Sequence, residues 1–341
     1  MIEERDLDAA VAAGVLDAPT RERLVVFARE HRRGIVGADE EQFRLLTGFN
    51  DIFVTIAVGL TLFAIATLAG RITPALGSAG VAAASWGLAE YFTRQKRMAL
   101  PSIVLLLTFA FGVMGTLTML LTGGDQMSFS GGAVPVGLIG AAAGSAIAAW
   151  LHWRRFMVPI TVAAGAGAIV VMILASLATL TTSAREPMLL ATAVCGLGVF
   201  AFALWADARD RRRVTRWSDV AFWLHLLAAP LIVHPVFALV GLMDGRPAPG
   251  AAVTVVAVYA VLTLVALAID RRALLVSALA YVIYAINALI GRGDSISGSF
   301  AITALIIGLF LVLLSAGWRP IRAKVLALLP SSITGQLPAA A

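Results

Sequence analysis

The residues that could do chemistry in this chain sit where chemistry is expensive, inside long apolar runs. His225 and His234 lie in the stretch Trp217 to Gly245, WSDVAFWLHLLAAPLIVHPVFALVGLMDG, together with Pro230 and Pro235. An imidazole changes charge near neutral pH. Placed in hydrocarbon, such a group marks a ligand or proton pathway by default. Each proline also frees the carbonyl four residues earlier, here those of Leu226 and Leu231. Lipid offers that carbonyl no donor, so protein, water or ligand must supply one. The stretch therefore predicts a helix broken by its prolines, with a proton or ligand half-site on either side.

The two histidines are nine residues apart, about 900° of helix, so they point to opposite faces and different depths rather than forming a chelating pair. No metal site and no cofactor is expected. A second group of polar residues follows at helical spacing: Ser277, Tyr281, Tyr284 and Asn287 cover an arc of roughly 120° and form one stripe. That stripe is a candidate to line a cavity beside His225 or His234, or to hold neighbouring helices together by hydrogen bonds. The sequence contains no HExxH, GxSxG, Walker loop or paired CxxC, so no catalytic residue is assigned.

The elements that must position these residues are membrane spans. Of 341 residues 60% are hydrophobic and only 13% charged, against about 25% charged in soluble domains. Apolar runs of about 20 residues recur near 50–69, 74–92, 100–121, 133–152, 157–181, 187–206, 218–243, 250–269, 273–291 and 299–317. The expected fold is all-α: a polytopic transmembrane helix bundle of about ten spans over 49–318. A small helical hairpin and elbow (1–48) precedes it and a tail (319–341) follows. The single Cys195 can form no intramolecular disulfide. No apolar run precedes residue 50, so no cleavable leader is expected.

Charge orients the bundle. Residues 1–51 hold seven arginines against eleven acids, and the remainder nineteen lysines and arginines against nine acids. Fifteen of those nineteen cations fall in alternate loops, around Arg94–Arg97, Arg154–Arg155, Arg209–Arg216, Arg271–Arg272 and Arg319–Lys324. The other loops hold Arg71, Arg185, Arg246 and Arg292, one each. By the positive-inside rule both termini are expected in the cytosol. The basic pI thus reflects loops that flank a bilayer, and nucleic acid is not an expected partner. The bilayer is. Small residues such as Gly140 with Gly144, Gly165 with Gly167, and Gly80, Ala84 and Gly87 permit close helix contacts, either within one chain or with a homo-oligomer or membrane-protein partner. The basic turns begin with Glu90, His152, Asp207 and Asp270, separated by 62, 55 and 63 residues, the length of a repeated two-helix hairpin.

In the N-terminal segment Leu7, Val11 and Val15 fall at helical spacing, and Asp17 can cap a second helix whose first turn accepts Pro19. The stretch LDAAVAAGVLDAPTRERL, followed by a run of hydrophobic helices, resembles uncharacterised multi-pass inner-membrane proteins of bacteria with a short cytosolic helical hairpin. The resemblance implies the architecture and a place in the cytoplasmic (inner) membrane of a bacterium, and no activity. Together these features lead to a transporter or permease-like protein for a small solute or ion. The alternatives are a non-catalytic membrane scaffold or assembly partner, and an intramembrane or lipid-modifying enzyme with a histidine base.

Overall fold

The computed structural model describes residues 4–35, 49–123, 136–181, 185–210, 213, 215–243, 251–276 and 308–330, with single residues at 279, 283, 305, 334 and 337. Two compact units are present, Met1–Gln42 with Ala339–Ala341, and Phe43–Pro338.

In the first unit, α1 (Glu4–Ala12) and α2 (Ala18–Ile35) are joined by an ion pair from Arg21 Nη2 to Asp8 Oδ1 at 2.8 Å. Gly14, at φ +70°, takes the left-handed conformation that ends α1, so the first helix stops three residues before Val15. The Asp17 carbonyl accepts the Arg21 N–H at 3.0 Å. Its carboxylate is bonded by the Thr20 side chain, which holds the acid below its ordinary value of 3.8. Asp17 is the N-cap that its position indicated.

In the second unit, six described helices are long and apolar enough to cross a membrane: α3 (Phe49–Gly70), α5 (Ala99–Leu121), α6 (Val136–Phe156), α7 (Ile160–Leu180), α8 (Arg185–Arg209) and α9 (Arg216–Leu239). Among the described residues every regular element is helical. The chain is therefore an all-α membrane protein. Between α3 and α5 lies α4 (Pro74–Ala89), which starts on a Thr73 cap with Pro74 in its first turn and runs on as a π-helical segment, Glu90–Gln95. After α9 come α10 (Ala251–Ile269) and α11 (Trp318–Leu328). The expected spans at 273–291 and 299–317 lie largely outside the described residues, although 273–276 and 308–316 are helical.

The basic turns share one backbone device. Arg97, Met157, Arg213 and Asp270 are the described non-glycine residues with positive φ, all between 51° and 56°. They recur at intervals of 60, 56 and 57 residues, close to the hairpin repeat expected from the turn sequences. Each ends or follows a helix at the Arg-rich end of the unit. A bulky residue in this region costs on the order of 1–2 kcal/mol; at Arg213 and Asp270 that cost is offset by hydrogen bonds and ion pairs of their side chains.

Helices approach closely where glycine removes a side chain. A Cβ on Gly112 of α5 would lie 2.9 Å from Ala82 N and Ser78 O of α4, and one on Gly144 of α6 would collide with the Leu117 side chain of α5. The Gly140–Gly144 pair thus faces α5 of the same chain. Gly87, by contrast, has nothing within 4 Å of its Cβ position.

The most enclosed span is α9, with 50% of its apolar window buried against 11% for α3. It runs as an uninterrupted α-helix through Pro230 and Pro235, which corrects the expected break. Gly196 of α8 supplies a physical reason. A Cβ there would sit 2.9 Å from the carbonyl carbon of Leu231, the residue whose hydrogen bond Pro235 removes. At the proline, α8 thus packs directly against the backbone of α9.

Candidate functional site: a buried Asp207–His225–Arg271 triad

Ser218 and His225 are seven residues apart on α9, about 700° of helix, and so share one face. That face is lined with Ala221 and Leu224, both fully buried. His225 has no exposed surface. Its Nε2 lies 2.9 Å from Oδ2 of Asp207, two residues from the end of α8. A carboxylate only accepts, so Nε2 carries the proton. Nδ1 has no hydrogen-bond partner among the described residues. Phe200 of α8 closes one side of the ring at 5.3 Å between centroids.

Arg271 completes the site from the other side. Its Nε donates to Asp207 Oδ1 and Oδ2 at 3.0 and 3.3 Å, its Nη2 also meets Oδ1, and Nη2 donates to Ser218 Oγ at 3.0 Å. The backbone aims this side chain. Asp270, at φ 56°, ends α10 in the left-handed conformation, and the Arg271 N–H turns back to the Ala266 carbonyl at 2.9 Å. The guanidinium that follows is 1% exposed.

The turn between α8 and α9 sends an arginine in the opposite direction. Arg213 Nη1 lies 2.9 Å from Asp270 Oδ2, while its Nη2 donates to the carbonyls of Ile269 and Asp270 at 3.2 and 2.7 Å. A cation on the last carbonyls of α10 satisfies acceptors the helix leaves open and complements its dipole. Asp270 also accepts Trp318 Nε1 at 2.8 Å and forms an ion pair with Arg322 Nε at 3.7 Å, both from α11. Asp210 accepts the N–H and hydroxyl of Thr215, each at 2.7 Å, and Thr215 caps α9. The two turns exchange arginines, and the exchange ties α8, α9, α10 and α11 together at their basic ends.

Chemically, the triad is a carboxylate shared between a fixed guanidinium and a titratable imidazole. Burial makes each charge depend on its partner: removing one member of such a pair typically costs about 3–5 kcal/mol. The open Nδ1 is the one acceptor position on the imidazole. Proton binding there would place a second cation on Asp207 beside Arg271.

Of the residues singled out from the sequence, His225 belongs to this site. His234 lies nine residues further along α9, half-buried and away from the triad. Tyr281, Tyr284 and Asn287 fall outside the described residues. Asp207, Arg271 and Ser218 were not identified as partners of His225. The i, i+7 spacing of Ser218 and His225 was the available signal. Asp207 and Arg271 lie at turns, where acids and arginines read as interfacial caps.

His152 also escaped selection. It is 1% exposed near the basic end of α6, its Nδ1 lies 3.2 Å from Thr161 Oγ1 of α7, and Trp86, Phe109 and Phe156 enclose it at 5.9, 5.5 and 4.6 Å between centroids. Nearby, Glu90 is gripped by Arg155 through two bonds of 2.7 and 2.9 Å and by Arg94 at 3.3 Å. Among the described residues no three His, Cys, Asp or Glu side chains converge as a metal site.

Fold and site together define a polytopic helical membrane protein with a buried ionic triad at the basic end of its central helix. The chain matches no known protein family, and no curated protein or solved structure matches it either.

Proposed function

We propose that this is a transport protein of the bacterial cytoplasmic membrane, moving a small solute or ion, in which the Asp207–His225–Arg271 triad is a proton-sensitive lock. The basic ends face the cytosol and both termini lie inside. The observation that carries the reading is the triad itself: three ionisable groups from three elements meet with little exposure to solvent, and among the described residues one of them keeps a proton-accepting nitrogen without a partner. A static contact between α8 and α10 needs no such group, since apolar side chains of similar volume hold helices together as well or better. Protonation of Nδ1 changes the charge balance on Asp207 and frees Arg271 to part from it, which separates the basic ends of α8 and α10.

The test is solute-dependent proton movement in proteoliposomes, followed with an entrapped pH dye against a panel of amino acids, sugars and inorganic ions. The proposal expects at least one solute to drive proton movement above protein-free vesicles, and His225→Gln and Asp207→Asn to abolish it. Equal movement in the variants, or none in the wild type for any solute, contradicts it.

The complete enclosure of His225 favours a second reading, a membrane scaffold in which the triad only fastens helices, with a second copy or a membrane-protein partner on an open surface such as that around Gly87. That reading predicts His225→Gln to lower the melting temperature and leave every flux unchanged. At His225 a histidine-based lipid-modifying activity finds no support, because a general base must reach its substrate and His225 is fully enclosed; the argument does not extend to the half-buried His234.

A further inference from the structure

An apolar groove of about 520 Å³ opens along the side of the bundle between α6, α7 and α8, a volume within the roughly 300–1,000 Å³ of small-molecule sites. Its walls are small and aliphatic, including Ala149, Gly165, Ile169 and Gly198, and its basic end is framed by Trp150, Trp153 and Trp217. Two arginines stand at that end. Arg154 Cζ lies 4.9 Å from the Trp150 ring centroid, and Arg209 Cζ lies 3.8 Å from that of Trp205 and 5.4 Å from that of Trp217.

These cations differ from their neighbours. Arg155 and Arg94 are neutralised by Glu90, Arg213 and Arg322 by Asp270, and Arg271 by Asp207. Arg154 and Arg209 are exposed and, among the described residues, meet aromatic faces rather than carboxylates. A guanidinium held over an aromatic face by a cation–π contact can still donate its N–H groups to the oxygens of a phosphate. An apolar trough that ends in indoles and uncompensated guanidiniums complements one molecule class above others: an acyl chain attached to an anionic phosphodiester. Indoles favour the depth at which a lipid's headgroup begins.

We propose that this groove is a specific site for one acidic phospholipid, with an acyl chain between α6, α7 and α8 and its phosphate held by Arg154 and Arg209. This goes beyond the transport reading and does not depend on it, because no triad residue lines the groove.

The test is native mass spectrometry of the full-length protein in detergent, titrated with phosphatidylglycerol or phosphatidylcholine, with melting temperature as the control for folding. The site predicts that the first phosphatidylglycerol binds on the order of tenfold tighter than phosphatidylcholine. It also predicts that Arg154→Gln combined with Arg209→Gln removes this preference. Gly198→Leu, placed where a Cβ meets nothing within 4 Å, leaves both arginines in place and fills the trough, so it should weaken that first event as well. Equal binding of the two lipids by the wild type overturns the proposal. So does a preference that survives the double arginine change. A preference untouched by Gly198→Leu shows surface charge alone, and overturns the seat in the groove.

Discussion

Two histidines are buried near the basic ends of this bundle, and they are accommodated by opposite chemistries. His152, on α6 against α7, is wrapped by Trp86, Phe109 and Phe156, and the Thr161 hydroxyl is its one hydrogen-bond partner among the described residues. His225, on α9, shares a carboxylate with a buried arginine. The first surroundings suit an uncharged ring and would oppose any charge on it. The second already hold charges of both signs, so a proton more or less can be redistributed among neighbours. The difference shows that burial alone does not set a histidine's chemistry; what distinguishes His225 is a partner whose own bonding must change when the ring does.

The largest effect should come from leaving a charge alone. Asp207→Leu strands Arg271, and by analogy with other buried pairs its stability should fall by about 3–5 kcal/mol. The double change Asp207→Leu with Arg271→Met should recover most of that loss. A double-mutant cycle by thermal unfolding in detergent reads the coupling directly, and additive effects would deny the pair. A smaller loss, about 1–3 kcal/mol by the usual scale of overpacking, should follow Gly196→Ala, because its Cβ meets the α9 backbone at 2.9 Å. Gly87→Ala, in open space, should instead be neutral or stabilising. At the aromatic box Thr161→Val deletes one neutral hydrogen bond and should cost only about 1 kcal/mol. A loss as large as that at Asp207 would make the two histidines alike.

The smallest effect is a pH dependence. Arg155 beside Glu90 holds that carboxyl below its ordinary value of 4.5. The folded carboxyl is the stronger acid, so its contribution is complete above 4.5 and is lost as pH falls through the lowered value. The melting temperature of Glu90→Gln should therefore lie slightly below the wild type near neutral pH and converge with it in acid. A gap that persists in acid would place the effect in geometry rather than charge.

Much of the scaffold was legible in sequence because hydropathy and charge are local signals. The runs that became α3 and α5 to α9 stand out by length, and their arginines pick out the turns. Asp17 was readable as a cap for the same reason: capping is settled within four residues. The site was half legible. His225 drew attention as an ionisable residue in an apolar run, but its partners come from positions 18 and 46 residues away. They arrive only because Arg213 and Asp270 adopt left-handed conformations that glycine usually signals and these residues do not. The prolines suggested a break because a freed carbonyl is a local fact. The close approach of Gly196 to the α9 backbone depends on which helix packs there. His152 was passed over because the aromatics that enclose it come from three helices.

Asp207 holds His225 through Nε2–H and, among the described residues, Nδ1 has no partner. Nitrogen-15 solid-state NMR of the protein in bilayers, comparing wild type with Asp207→Asn, tests it most directly. The account predicts a His225 imidazole protonated and hydrogen-bonded at Nε2, with that signature lost or moved in the variant and the His152 signals unchanged. A ring protonated at Nδ1, or a His225 spectrum indifferent to Asp207→Asn, would contradict it.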